Sequence, residues 1–488
     1  MVYPILPHDV LGGIFLDTVI EIYNASPSNA VKKRTPITCY ALNLSAVCSH
    51  WRFVALSTPR MWGYIEITYV ERPGPHWIPH SSFLQLCLSR AGLVSLNVRV
   101  KSPHNLPIDT SLVWDAISAQ MMPAVGVLEV VSEANRSSNG LQLGGIYTLT
   151  RFLLHPTPRL TRLKYHLQEP PMDALMCRFG SAPGLTVDGW DKLYGKILPH
   201  APYLVDLELN HFGGLRFDVF PPETLRSLQR FACRSFIPDI RISDILACAP
   251  YLERLELCYK LASILFETEL SIVPAHDLVS VYGNANVILA QLDSRRAPNI
   301  HTLRFYPQLA EFDHKLLERF FCSTPYAALK YLALPPMYFC DDEQVAAVIP
   351  LFRYMPNIQT LVMPNYPSVD PAIRNWTRPE HIALLPRLQI IKLYMNSDVV
   401  LFLNFLEARR AMFLELCDSQ SRLAMTIELR GRQRDDQQTK VCLALTPYVA
   451  TVRIVLEEPS HPDGRVLMEV RNGLKWSSWE QNSTNEGG

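Results

Sequence analysis

Pro202–Leu209 reads PYLVDLEL and Pro250–Leu257 reads PYLERLEL. Each places an apolar residue at a position n, two residues after a proline, and others at n+3 and n+5. The unit returns in PNIHTLRF (Ile300, Leu303, Phe305), PNIQTLVM (Ile358, Leu361, Met363) and PRLQIIKL (Leu388, Ile391, Leu393). Weaker copies start at Leu93, Val125, Leu160, Leu228 and Leu329, and two more at Ala424 and Val449. Side chains alternate along a strand, so the n+3 and n+5 residues share one face of a short strand. The recurring proline marks the turn that enters it.

Leu204, Leu228 and Leu252 step evenly by 24, and Ile300 lies two such steps further on. Self-similarity at this period is the mark of a leucine-rich repeat. Helical stretches such as ISDILACA (Ile242–Ala249) and LLERFFCS (Leu316–Ser323) precede the strands. The expected fold class is α/β: over residues 80–475, an irregular solenoid shaped as a horseshoe with a parallel sheet on its concave side. It is irregular because the asparagine ladder of regular repeats is missing, Asn210 being the clear candidate among the copies. The competing reading is an α/β domain whose buried strands happen to end in leucine. The repeated proline argues against it. Residues 476–488, WSSWEQNSTNEGG, read as a polar disordered tail.

Of the 488 residues, Lys+Arg and Asp+Glu number 46 each, so no field steers the chain onto nucleic acid or an anionic membrane. Its 11 cysteines show no CxxC and no even spacing, which predicts reduced, buried thiols rather than disulfides. MVYPILPHDV lacks the basic-then-apolar order of a secretory signal, and no apolar run is long enough to span a bilayer. A cytoplasmic and/or nuclear location is expected, with no membrane partner.

ILPHDVLGGIFLDTVIEIY (Ile5–Tyr23) starts with Pro7 and Asp9, both suited to the first turn of a helix. Val10, Leu11, Ile14, Phe15, Val19 and Ile22 form one broad apolar stripe on it. Gly12 and Gly13 weaken such a helix, so tertiary contacts must hold it. A polar insert with Lys32, Lys33 and Arg34 reads as a solvated loop. In LSAVCSHWRFVALSTPRMW (Leu44–Trp62), Leu44, Val47, Cys48, Trp51 and Ala55 fall on one helical face until Pro59 stops it.

LPHDVLGGIF followed by LSAVCSHWRFVALSTPRMW resembles an F-box, most closely the expanded fungal F-box-like families, over about residues 4–67. The shared pattern is a leading Leu-Pro, a first helix, a V-C-x-x-W-R helix and a small-residue/Pro/Trp ending. The Gly12-Gly13 pair departs from it. The resemblance implies a three-helix unit over residues 1–70 that presents apolar surface to a Skp-type adaptor of a cullin ubiquitin ligase. Leu6, Pro7, Val10, Leu11, Ile14 and Phe15 would supply much of the contact. Leu44, Val47, Cys48 and Trp51 would divide between that contact and the module's core. Trp62 would pack the module onto the next domain. Read as residues alone, the same set is ordinary core.

No constellation supports catalysis, a metal or a cofactor: phosphate loop, GxSxG, HExxH and GxGxxG are all lacking. Cys48 and His50 are two apart, where helical side chains diverge. Asp341, Asp342 and Glu343 read as a helix start, and RGRQRDDQQTK (Arg430–Lys440) as a solvated loop. Two functions follow. One is a non-enzymatic substrate-recognition subunit of a Skp–cullin–F-box ligase, the repeats holding a protein client. The other is a repeat scaffold whose N-terminal segment only caps the solenoid. Strand residues pointing away from the core change from charged to aromatic and aliphatic along the array. They mark Tyr306, Tyr331, Val362, Ile390, Lys392 and Tyr394 as client-binding candidates.

Overall fold

The computed structural model describes residues 6–25, 37–68, 81–102, 118–133, 155–168, 201–209, 225–233, 242–257, 275–283, 285, 288–289, 292, 297–305, 314–322, 327–334, 342–363, 370–394, 399–414, 423–431, 436–458, 461–471 and 474–477. The chain divides into two compact units, Met1–Leu252 and Glu253–Gly488. Each is α/β with a mostly parallel sheet.

In the first unit, α1 (His8–Ala25), α2 (Tyr40–Ser45) and α3 (Ser49–Leu56) precede a 3-10 turn at Pro59–Gly63. A three-residue strand, β1 (Ile37–Cys39), lies antiparallel to β2 (Tyr64–Thr68). After β2 come α4 (Ser81–Ala91) and then β3 (Leu96–Ser102), β4 (Val125–Glu133), β5 (Arg162–Gln168), β6 (Asp206–Leu209) and β7 (Arg230–Cys233). From β2 to β7 every neighbour in sequence is a parallel neighbour in the sheet. The register aligns Ile65, Val98, Leu128, Leu163, Leu207 and Phe231 in one row, and all are buried.

In the second unit β8 (Arg254–Leu257), β9 (Ser280–Gly283), β10 (Thr302–Phe305), β11 (Tyr331–Ala333), β12 (Thr360–Val362), β13 (Ile390–Tyr394), β14 (Leu423–Gly431) and β15 (Val449–Glu458) are parallel in sequence order. Their core row runs Leu255, Val281, Leu303, Leu332, Leu361, Ile391, Ile427 and Val452, all buried. Nearly every apolar repeat position is therefore a core position, as the alternation of a strand requires. Leu93, at the head of its copy, is 88% exposed instead, and the strand begins three residues later.

Several sequence expectations are corrected. A further copy at Leu278 (Leu278, Val281) lacks the apolar n+5 residue, because Gly283 stands there. A Cβ there would lie 2.4 Å from the Leu257 carbonyl oxygen, so the neighbouring strand excludes an apolar side chain. The sheet is not wholly parallel: β16 (His461–Arg471) returns antiparallel to β15, and β17 (Leu474–Ser477) lies antiparallel to β16. Trp476 and Ser477 thus belong to a strand rather than to a tail. The solvated loop expected at Arg430–Lys440 is also divided: Arg430 ends up buried in β14, and a helix begins at Asp436.

The single helical face expected from Leu44 to Ala55 is two helices. The chain breaks at Ala46–Cys48, and Cys48 is extended, its Sγ accepting the Trp51 N–H at 3.4 Å. Arg52 Nε donates to the Ser45 carbonyl at 3.1 Å and so ties α3 to the end of α2. A side-chain cap offers the backbone an alternative to continued helix, which apolar periodicity does not register.

The two glycines of α1 have different environments. A Cβ on Gly12 would meet Thr58 Oγ1 at 3.1 Å and Val54 Cγ1 at 3.8 Å, so Gly12 lets α1 approach α3 closely. A Cβ on Gly13 meets nothing within 4 Å. Gly13→Ala is expected to stabilise the protein by about 0.5–1 kcal/mol through helix propensity. Gly12→Ala is expected to gain nothing. Urea-denaturation midpoints of the two variants check this pair, and equal gains would remove the close-approach account.

Candidate docking surfaces

The stripe expected on α1 separates into two. Leu11, Phe15, Val19 and Tyr23, four residues apart, are buried. Phe15 stacks obliquely on Trp51 with ring centroids 4.6 Å apart, and Tyr23 meets Tyr64 edge-on at 5.4 Å. The adjoining stripe stays in solvent: Leu6 is 49% exposed, Val10 45% and Ile14 46%. Pro7 is exposed beside them. His8 joins this first turn to the end of α3, its Nε2 lying 2.8 Å from Ser57 Oγ and its ring 5.1 Å from that of Phe53. Phe53, at 64% exposure, therefore sits next to the start of the exposed stripe. Val47 and Cys48 are exposed, and Leu44 and Trp51 half-buried. Of the residues the resemblance assigned to adaptor contact, Leu11 and Phe15 point inward and the others keep at least part of their surface.

This helical module is fastened to the sheet of its own unit. Trp62 is buried, and its Nε1 donates to the Ala55 carbonyl at 2.8 Å. Arg99, on β3, donates through Nη1 to the Tyr23 carbonyl in the last turn of α1 and lies over the Tyr23 ring at 4.3 Å. A cation there complements the negative end of the helix dipole. Burial works against the Arg99 charge, but Glu129, Tyr23 and Glu66 together hold the guanidinium above its usual value. Burial also pushes the Tyr23 hydroxyl up.

The other surface is the strand face opposite the core row. In the first unit the register aligns Glu66, Arg99, Glu129, Lys164 and Glu208, alternating in sign across five strands. Arg99 Nε reaches Glu129 at 2.8 Å, Lys101 Nζ reaches Glu66 at 2.9 Å and Lys164 Nζ reaches Glu208 at 3.5 Å. In the next row Arg162 and Arg230 flank Asp206 at 2.9 and 3.3 Å. Adjacent strands lie ~4.8 Å apart, so long side chains cover one another, and Glu66, Asp206 and Glu208 are buried in spite of their charge. Opposite charges on neighbouring strands contribute roughly 0.2–1 kcal/mol each and oppose a register slip.

In the second unit the corresponding rows read Thr302, Tyr331, Thr360, Ile390 and Thr426, then Arg304, Ala333, Val362, Lys392, Glu428 and Arg453. Four of the client-binding candidates thus share one face: Tyr331, Val362 and Ile390 are half-buried, and Lys392 is buried. Tyr394 closes β13, and Tyr306 lies outside the described residues. The aromatic and aliphatic stretch does not run to the end of the array. Glu428 meets Lys392 at 3.2 Å, Arg430 at 3.6 Å and Arg453 at 3.6 Å, and Glu469 meets Arg453 at 3.2 Å. Arg304, four residues into the copy at Ile300, is placed on this face by the sequence, whereas Glu428, Arg430 and Arg453 are not. Strand alternation in the weak copies at Ala424 and Val449 would point to Glu428 and Arg453, while Arg430 reads in sequence as the start of a loop.

No group of His, Cys, Asp and Glu among the described residues could hold a metal ion. No described helix is long and apolar enough to cross a membrane. No family model and no curated protein matches the chain. Among solved structures, a Bacteroides fragilis protein determined as a structural-genomics target aligns at 11% identity with a TM-score of 0.32, over 66% of this chain and 74% of that one.

Proposed function

We propose that this chain is the substrate-recognition subunit of a Skp–cullin–F-box ubiquitin ligase. Its N-terminal helices would dock a Skp-type adaptor, and the strand face of its second unit would hold a protein client. The observation that carries the reading is the uncovered apolar stripe Leu6, Val10 and Ile14, with Phe53 beside its first turn. Apolar side chains left in water one turn apart at the start of a helix are what a partner surface requires. The chain itself performs no chemistry in this reading. It supplies effective concentration and orientation of the client to the ligase's catalytic subunits, in the cytoplasm or nucleus.

A second reading has an observation of its own. β1 covers the edge of β2, while Trp62 and Arg99 fasten the helices to the sheet, which is how a cap protects the end of a repeat array. In that reading the protein is a scaffold and the adaptor is not a partner. Val10→Asp with Ile14→Asp separates the two. Both positions are exposed, so the double variant is expected to keep the wild-type denaturation midpoint within about 0.5 kcal/mol. Co-purification of a recombinant Skp-type adaptor with the full chain is expected to fall at least tenfold. Adaptor capture equal to wild type would sink the ligase reading, and so would no capture by the wild type.

A further inference from the structure

The strand faces of the two units differ in charge. The first carries four carboxylates (Glu66, Glu129, Asp206, Glu208) interleaved with its cations, so each positive side chain lies across from a negative one. Between β10 and β16 the second carries Arg304, Lys392, Arg430, Arg453 and Arg471, against Glu428 and Glu469 among the described residues. Two of these cations converge on one ring: Arg304 Cζ lies 4.5 Å from the Tyr331 centroid and Lys392 Nζ 5.9 Å. Arg304 Nε is buried and has no hydrogen-bond partner. Gathering cations in a partly desolvated face is unfavourable unless an anion joins them.

We infer that this face binds an acidic segment of a protein, with one carboxylate seated over Tyr331 between Arg304 and Lys392. This deepens the client reading above and rests on it. Three strand spacings of ~4.8 Å separate Arg304 on β10 from Lys392 on β13, about 14 Å. Two more reach Arg453 on β15. An extended peptide rising ~3.3 Å per residue and crossing the strands then brings a second carboxylate, about three residues from the first, to Arg453. Tyr331 supplies an aromatic floor that excludes water from the ion pairs, which strengthens them. Nucleic acid is the less suitable anion, because the chain as a whole has balanced charge and no basic stripe to follow a phosphate backbone.

The test is fluorescence anisotropy of a fluorescein-labelled nonaglutamate peptide titrated with the purified full chain. Binding is expected at low ionic strength and should weaken steeply as salt rises through the range where the Debye length falls to ~8 Å. Arg304→Gln with Lys392→Gln is expected to weaken it at least tenfold. Glu428→Gln, which removes the competing carboxylate, is expected to tighten it several-fold, a gain that misfolding cannot produce. Arg162→Gln on the first unit's face should change nothing. No binding by the wild type, an unchanged double variant, equal binding of a nonalysine peptide, or tighter binding of an oligothymidylate would each overturn the inference. Adaptor co-purification is measured on the same double variant. Retained adaptor with lost peptide binding supports the surface assignment, and retained adaptor with no peptide binding by the wild type removes this inference while leaving the ligase reading standing.

Discussion

Arg409→Met is expected to destabilise the protein by roughly 3–5 kcal/mol, the largest loss for any single change at a polar residue considered above. Arg409 lies within the helix Val399–Leu414 and is 2% exposed. Its Nη1 donates to the carbonyls of Ile382 at 3.1 Å and Leu384 at 3.0 Å, and its Nη2 to that of Leu385 at 2.7 Å. These carbonyls lie on the connection between the helix Asp370–Trp376 and β13, where Leu385 takes a left-handed backbone with φ of 57°. A leucine there is strained, and its buried side chain together with the guanidinium keeps it so. Burial pulls the Arg409 guanidinium down to about 10, which leaves it charged and donating at neutral pH. Methionine removes the cost of burying the charge but leaves three acceptors, two of them buried, without this donor, and the second effect is larger. Lysine would restore charge without the planar fork and is expected to recover less than half of the loss. Urea denaturation of the three proteins measures this. A methionine variant within 1 kcal/mol of wild type would mean that other groups satisfy the connection.

Trp62→Ala is expected to cost about 3–5 kcal/mol and to loosen α3 and β2 together. Trp62 is 1% exposed and sits in the turn Pro59–Gly63 that joins these two elements. Its removal opens a cavity and strips the Ala55 carbonyl of its indole donor. Hydrogen exchange in the full chain is the measurement. Protection should fall at both Ser49–Leu56 and Tyr64–Thr68. Loss confined to the helices would restore the picture of a separate N-terminal module. Trp51→Ala should cost less, because Trp51 is only half-buried against Phe15.

Much of the fold was legible because the interior of a repeated strand has a short-range signature. Leucines at n, n+3 and n+5 need only local alternation and a proline turn to be read, and the apolar n+3 and n+5 residues, such as Leu207 and Leu209, are core in the structure. The register rows were less legible, because they join residues 22 to 44 positions apart in sequence, and contacts between a helix and the sheet reach further. Arg99 and Tyr23 show this, as the partner of a helix terminus is a strand residue that no local pattern selects. Gly283 shows the opposite failure, a repeat hidden because a neighbouring carbonyl forbids the side chain that would have announced it.

The sequence by itself determined that the chain alternates helix and strand at a leucine period, that its N-terminal helices carry more apolar surface than they can bury, and that its charges balance. Tertiary structure decided which apolar stripe of α1 stays in water, and why Gly12 but not Gly13 is needed. It also decided that the charges interleave on the first strand face and fall out of balance on the second. The reason is physical. Periodicity fixes the direction of a side chain relative to its own element, whereas burial and charge pairing depend on which element lies next to it.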